Sequence, residues 1–237
     1  MKMKKLGIVS LMVLFLAFGV SGASATPTLW DWAFNLNGDS YYPYDTVPGL
    51  DDTGFDWNTG LGNITLTYDP GFAGDYYFLS FFDHEIEESP ATFCNEYGAT
   101  SGTPAPGQTW EIDEPGSVFG DIYDHVTAPW TYGFLDNSNG VPPTLPDDVS
   151  MAMGWNFTLG DGQWAVIDLI LGEGIPSGFY LSHTDPDSAE TIHFSSTLDI
   201  RGGGGPVAPV PEPGTMMLLG TGLVGLFGLR RKGLKKR

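Results

Sequence analysis

Apolar residues in this chain recur at every second position and almost nowhere at helical spacing, a pattern that only strands can bury on one face. Met151, Met153, Trp155, Phe157 and Leu159 alternate with Ala152, Gly154, Asn156 and Thr158. After Gly160-Asp161-Gly162 the pattern resumes, with Ala165, Ile167, Leu169 and Leu171 on one face and Trp164, Val166, Asp168 and Ile170 on the other. Two such runs around a glycine turn predict a β-hairpin. Ile64, Leu66 and Tyr68 alternate with Asn63, Thr65 and Thr67, and Asp69-Pro70-Gly71 turns them into an aromatic-rich strand over Asp75 to Asp83, a second predicted hairpin. Trp30, Trp32 and Phe34 alternate with Asp31 and Ala33 in an opening strand, Leu29 to Leu36. Phe179 to His183 and Thr191 to Ile200 supply two more, and Val141-Pro142-Pro143-Thr144-Leu145-Pro146 reads as a long loop. No amphipathic helix competes with these strands. The predicted fold is all-β, an antiparallel β-sandwich or jelly-roll-like ectodomain spanning residues 26–200.

Both ends carry different physics. Lys2, Lys4 and Lys5 precede an apolar stretch from Leu6 to Val20, and Ala23-Ser24-Ala25 offers the small residues a signal peptidase requires. Residues 1–25 therefore read as a signal helix cut after Ala25. At the far end, Arg201, four glycines and Pro206 to Pro209 predict a linker over 201–210. Pro211, Glu212 and Pro213 follow; prolines fix φ and remove donors, so this peptide is extended and accessible. The apolar run Gly214 to Leu229 would form a short transmembrane helix of about 24 Å at ~1.5 Å per residue, less than the ~30 Å hydrocarbon core. Arg230, Arg231 and Lys232, then Lys235, Lys236 and Arg237, form a basic stop that stays cytoplasmic.

Pro-Glu-Pro, a short hydrophobic helix and a basic terminus, in that order, resemble the PEP-CTERM sorting signal of Gram-negative bacteria, over residues 211–237. The resemblance implies recognition by an exosortase, an integral-membrane cysteine protease-like enzyme, and release to the cell surface or exopolysaccharide matrix. The stretch from Pro146-Asp147-Asp148 through Gly178 to Asp187 and on to Ile200 is similar to the C-terminal half of a β-rich ectodomain that recurs among such proteins. That family is defined by export and brings no enzymatic activity with it.

Charge narrows the partners. Of ten Lys and Arg, only Arg201 lies between the two targeting segments, whereas all of the 29 Asp and Glu except Glu212 lie in the exported body. Nucleic acid is excluded as a direct partner, since no basic surface exists to displace phosphate counterions. Cationic partners or divalent ions suit such a body. Cys94 is alone and cannot form an intramolecular disulfide; with no neighbouring base it reads as a buried, inert thiol.

Catalytic signatures are lacking. His84-Glu85-Ile86-Glu87-Glu88 has no second histidine at zincin spacing and reads as a solvated acidic loop. Ser182, His183 and Asp185 have the residue types of a hydrolase triad without its nucleophile elbow, and a turn at Asp185-Pro186-Asp187 explains them better. Turn carboxylates Asp51, Asp52 and Asp56, and Asp185 with Asp187, are the candidates for Ca²⁺, the one cofactor this chain suggests. Trp110 and Trp130, flanked by turn residues, are the candidates for stacking on sugar rings. The predicted function is an exported, non-enzymatic structural or interaction protein of the surface or extracellular matrix. A Ca²⁺-assisted module that binds matrix polysaccharide is the alternative, and a glycan-active enzyme the third. Replacing Pro211, Glu212 and Pro213 together by alanine is expected to leave unprocessed precursor in the inner membrane; mass spectrometry of the surface form checks this, and an intact Arg237 terminus on the wild-type surface protein is the contrary result.

Overall fold

The computed structural model describes residues 26–87, 93–116 and 118–203. The predicted signal peptide, the sorting motif Pro211-Glu212-Pro213 and the apolar run 214–229 lie outside them. Among the described residues no helix is long and apolar enough to cross a membrane. The strands are β1 (Thr26–Leu36), β2 (Asp39–Tyr41), β3 (Leu50–Asp56), β4 (Leu61–Tyr68), β5 (Gly74–Glu87), β6 (Tyr97–Ser101), β7 (Gln108–Asp113), β8 (Ser150–Leu159), β9 (Gln163–Gly172), β10 (Tyr180–Thr184) and β11 (Thr191–Gly202). Two short helices, α1 (Ile122–Thr127) and α2 (Pro129–Tyr132), lie between β7 and β8.

The strands form two antiparallel sheets, one ordered β2-β1-β5-β8-β7 and the other β3-β4-β9-β11-β10-β6. Both predicted hairpins are wrong in the same way. β8 pairs with β5 and β7, whereas β9 pairs with β4 and β11, so Gly160-Asp161-Gly162 carries the chain from one sheet to the other. The turn at Asp69-Pro70-Gly71 likewise joins β4 of the second sheet to β5 of the first. A tight turn between alternating runs serves a hairpin or an inter-sheet arch equally well. The arch prevails because both edges of β5, β8 and β9 are taken by strands distant in sequence, while β4 is held between its own hairpin partner β3 and the distant β9. True hairpins form at β1–β2, β3–β4 and β10–β11. In the first, Asn37 and Gly38 both adopt positive φ (54° and 106°), the backbone a two-residue turn requires.

The alternation itself holds. Met151, Met153, Trp155, Phe157 and Leu159 from one sheet and Ala165, Ile167, Leu169 and Leu171 from the other are buried in a single core between the sheets. Phe82 and Phe194 meet edge to face across it with centroids 5.3 Å apart. Inside the same layer Trp155 Nε1 donates to Ser196 Oγ at 2.8 Å, so the indole pays no penalty for its buried N–H. The opening strand departs from simple alternation. A β-bulge between Leu29 and Asp31 leaves Trp30 without a cross-strand partner and turns it outward, while Trp32 and Phe34 remain in the core.

The outer face of the first sheet is apolar in its middle, where Ala33, Leu79, Phe81 and Ala152 are buried beneath Ile122 and Val126 of α1 and Leu135. Neither helix was predicted, because α1 covers 6 residues and α2 covers 4, too short to display a helical period. Three further expectations need correction. His84 is in β5 and fully buried, not in a solvated loop, because β5 runs through to Glu87. Arg201 and Gly202 belong to β11, paired with Trp164 and Gln163, so they are not linker. Cys94 is exposed on a short 3-10 turn. Residual desolvation, then the acidic residues Asp147, Asp148, Glu114 and Glu85, push its thiol pKa up and keep it protonated.

Within β9, Ile167 is fully buried, while Asp168 on the opposite face accepts a 2.6 Å hydrogen bond from Thr65 Oγ1. Ile167→Asp is expected to unfold the body, since an unpaired buried carboxylate costs several kcal/mol. Asp168→Asn keeps an acceptor and is expected to cost less than about 1 kcal/mol. Thermal denaturation of both variants checks the register; equal melting temperatures contradict it.

Candidate functional site

Two grooves with aromatic walls border β1, one along Leu29, Trp30 and Trp32 and the other just past its C-terminal end at Asn37. The larger, about 650 Å³, lies where the β1–β2 turn, β5, β8 and α2 converge, with Asn37, Asp75, Tyr77, Trp130, Phe134 and Asn156 among its walls. Pro129 opens α2 at a position where its missing N–H is harmless, and the one-turn helix lifts Trp130 into solvent, 77% exposed. The indole is nonetheless held. Its Nε1 donates to Tyr77 Oη at 3.0 Å, and Phe134 packs perpendicular to it at 5.1 Å. Burial, opposed by that hydrogen bond, pushes the Tyr77 phenol up, so Tyr77 keeps a proton of its own to donate. Asn37, Asn156, Asp75 and Thr158 place amides, a carboxylate and a hydroxyl around the same space, with Thr158 donating to Asp75 at 2.6 Å.

The second groove, about 480 Å³, lies beside the β1 bulge. Trp32, Val47, Leu50 and Trp57 are in its lining, and the bulged Trp30 stands 73% exposed beside them. Trp57 is oriented by donating Nε1 to Asp52 Oδ2 at 2.7 Å. Tyr44 is fully exposed at φ 80°, a left-handed backbone that is costly for a bulky residue and is held by a turn in which Tyr42 N–H donates to Asp45 Oδ2.

Of the two tryptophans singled out in the sequence, only Trp130 is at a groove. Trp110 leans onto the core margin against Phe179, centroids 6.0 Å apart, because β7 turns it to the same face as buried Ile112. The carboxylates considered for Ca²⁺ are not brought together. Asp51, Asp52 and Asp56 are on the edge strand β3, four strands from the β10–β11 turn that holds Asp185 and Asp187, a separation of about 19 Å at ~4.8 Å per strand. Their oxygens serve local turns: Asp51 accepts from Thr53, Asp56 from Asn58, and Asp185 from the N–H groups of Asp187 and Ser188. Ser182 and His183 project to opposite faces of β10. Ser182 Oγ donates to the Ala99 carbonyl, while His183 Nε2 meets Glu96 at 2.6 Å in the interior. Burial holds the His183 pKa down at about 4, so the imidazole at this contact is neutral.

A constellation absent from the sequence reading sits under α1. Glu111 of β7 is on the outer face of the first sheet, buried by the helical layer, and its carboxylate meets His125 Nδ1 at 2.9 Å. His125 Nε2 faces exposed Asp121 at 3.4 Å, and the Asp136 N–H donates to Glu111. The three groups are close enough to surround an ion. The two carboxylates, however, meet opposite nitrogens of one ring, so the arrangement works as a hydrogen-bonded relay that clamps α1 to the sheet. Only tertiary packing joins Glu111 to His125, and no spacing in the sequence announces it. Burial pushes the Glu111 carboxyl up to about 7. Burial alone would lower the His125 pKa, but the hydrogen bond and charge of Glu111, then Asp121 and Asp136, leave it raised. A histidine whose pKa is raised on folding stabilises below its unfolded pKa, and that stability is lost as pH rises through the folded value. The two groups titrate as a pair. NMR titration is expected to place the His125 midpoint above that of a free histidine, and Glu111→Gln is expected to lower it; an unmoved midpoint contradicts the clamp.

No curated protein and no solved structure matches the chain. One family model does: the PEP-CTERM protein-sorting motif, over residues 209–232. The matched segment contains Pro211, Glu212 and Pro213 as well as Arg230, Arg231 and Lys232. Such signals are generally processed by an exosortase and imply export with membrane-associated sorting. The chain is a PEP-CTERM sorting-domain-containing protein.

Proposed function

We propose that the mature protein is a non-enzymatic interaction protein of the cell surface or extracellular matrix that binds polysaccharide in the groove beside Trp130. The observation that supports this most is Trp130 itself: a large aromatic face left in solvent, yet fixed by Tyr77 and Phe134 at the edge of a groove with amide and hydroxyl groups. A sugar ring presents an apolar face of axial C–H groups and a rim of hydroxyls, which is the complement of such a surface. Preorganisation of the indole reduces the entropy lost on binding. The charge of the body selects among glycans. With all acids but Glu212 in the exported body and Arg201 its only strong base, polyanionic chains are repelled, and neutral polysaccharide is the favoured class. Export through a PEP-CTERM signal is the route by which the chain would meet such polymers.

The full-length protein in non-ionic detergent micelles, presented with a soluble neutral glucan and separately with a polyuronate, tests this. Binding to the glucan with little salt dependence is expected. Trp130→Ala is expected to weaken it by about 2 kcal/mol, roughly thirtyfold. Binding confined to the polyuronate, or glucan binding unchanged in Trp130→Ala, contradicts the proposal.

A further inference from the structure

At the end of the first sheet nearest the β1 bulge, its outer face carries carboxylates in a row. The register sets Asp31 of β1 opposite Asp83 of β5, Asp83 opposite Ser150 of β8, and Ser150 opposite Asp113 of β7. Directly opposed residues on one face have Cβ atoms about 5 Å apart, and like charges there are destabilising. Glu85, two residues beyond Asp83, extends the row on the same face of β5 by the period of two, and Asp148 lies in the segment that leads into β8, two residues before Ser150. Some members are accommodated: Asp113 Oδ2 accepts from the Asp121 N–H, and Ser150 Oγ donates to the Asp113 carbonyl.

Asp83 is not accommodated. It is 4% exposed, and its Oδ1 is buried without a hydrogen-bond partner. Asp148 Oδ1 is buried in the same condition. Two buried carboxyl oxygens without hydrogen-bond partners, one on β5 and one in the segment leading into β8, are an unfavourable arrangement unless something positive completes it. The chain has nothing to offer, since no lysine or arginine occurs between Thr26 and Ile200. His84 and His183 are held neutral by burial.

We propose that this face is a Ca²⁺ site in which Asp83 and Asp148 are the carboxylate ligands and Asp31 and Glu85 form its acidic margin. Hard carboxylate oxygens suit Ca²⁺, whose loose coordination accepts water and main-chain oxygens in the remaining positions; the smaller Mg²⁺ demands stricter geometry. The same electrostatics appear in the free carboxyls. Burial, then Asp148, Glu85, Asp31 and Glu96, push Asp83 up to about 8, and burial followed by the charge of Glu85 pushes Asp148 up to about 6. The site is distinct from the glycan groove, which lies at the opposite end of β1. It is also separate from the turn carboxylates Asp51, Asp52 and Asp56 on β3 of the other sheet.

Calorimetric and thermal titration of the full-length protein in non-ionic micelles, freed of metal by a chelator and held at about 0.15 M ionic strength to suppress diffuse screening, tests the assignment. A saturable rise in melting temperature with Ca²⁺ is expected, with a weaker response to Mg²⁺. Asp83→Asn and Asp148→Asn are each expected to weaken the Ca²⁺ Kd by at least about tenfold. Without Ca²⁺ they should melt no lower than wild type, because each replaces a carboxyl whose charged form burial disfavours. Asp51→Asn should retain the wild-type Kd. No saturable response in the wild type, an unchanged Kd in both Asp83→Asn and Asp148→Asn, or loss of binding in Asp51→Asn alone overturns the site. If Asp83→Asn fails to fold, Asp148→Asn carries the test with the same outcomes.

Discussion

The contact between the two sheets supports everything else in this protein. With Cys94 its sole cysteine, the chain has no intramolecular disulfide available, and stability rests on burying one alternating apolar face against another. Phe82 against Phe194 and the Trp155–Ser196 hydrogen bond tie the sheets at their centre. Each side chain removed from water there contributes about 1.5–3 kcal/mol. Both grooves and the acidic row are built on the outer faces and ends of this layered body. Their residues are positioned by strands whose registers the core enforces.

The second constraint is electrostatic. A body this acidic, with Arg201 its only strong base, must solvate its carboxylates, satisfy them locally or pair them with something else. Asp51, Asp56 and Asp185 follow the local course through turn N–H groups. Glu111 and Glu96 are buried beside His125 and His183 instead. All four histidines of the chain are buried, so the residue type best able to supply a positive charge is spent inside. His84 and His183 are held neutral there, each with its pKa pushed down to about 4 by burial. Asp83 is left on the sheet face without any of these remedies, which is why a mobile cation from outside suits that position.

Irregular backbone and the two grooves coincide. The bulge that expels Trp30 and the left-handed residue Tyr44 both border the smaller groove, and the one-turn helix α2 raises Trp130 over the larger one. Each device takes an aromatic ring that the core would otherwise bury and presents it to solvent. Bulges and strained residues are concentrated at such places because local geometry is traded for the aim of one side chain.

What the sequence determined by itself is the β-rich class, the inward face of strongly alternating strands such as β8 and β9, and the C-terminal sorting motif. These are local: a period of two decides which of Ile167 and Asp168 is buried, and the sorting motif is matched as one contiguous stretch. What tertiary structure decided is which strands meet. β8 and β9 carry the pattern of a hairpin yet belong to different sheets, because a tight turn is compatible with either arrangement and distant partners occupy their edges. The same non-local pairing turned Trp110 onto the core margin, exposed Cys94, joined Glu111 to His125 and aligned Asp31 with Asp83. No short-range rule in the chain encodes those meetings, since their energies arise only once segments far apart in sequence share one face.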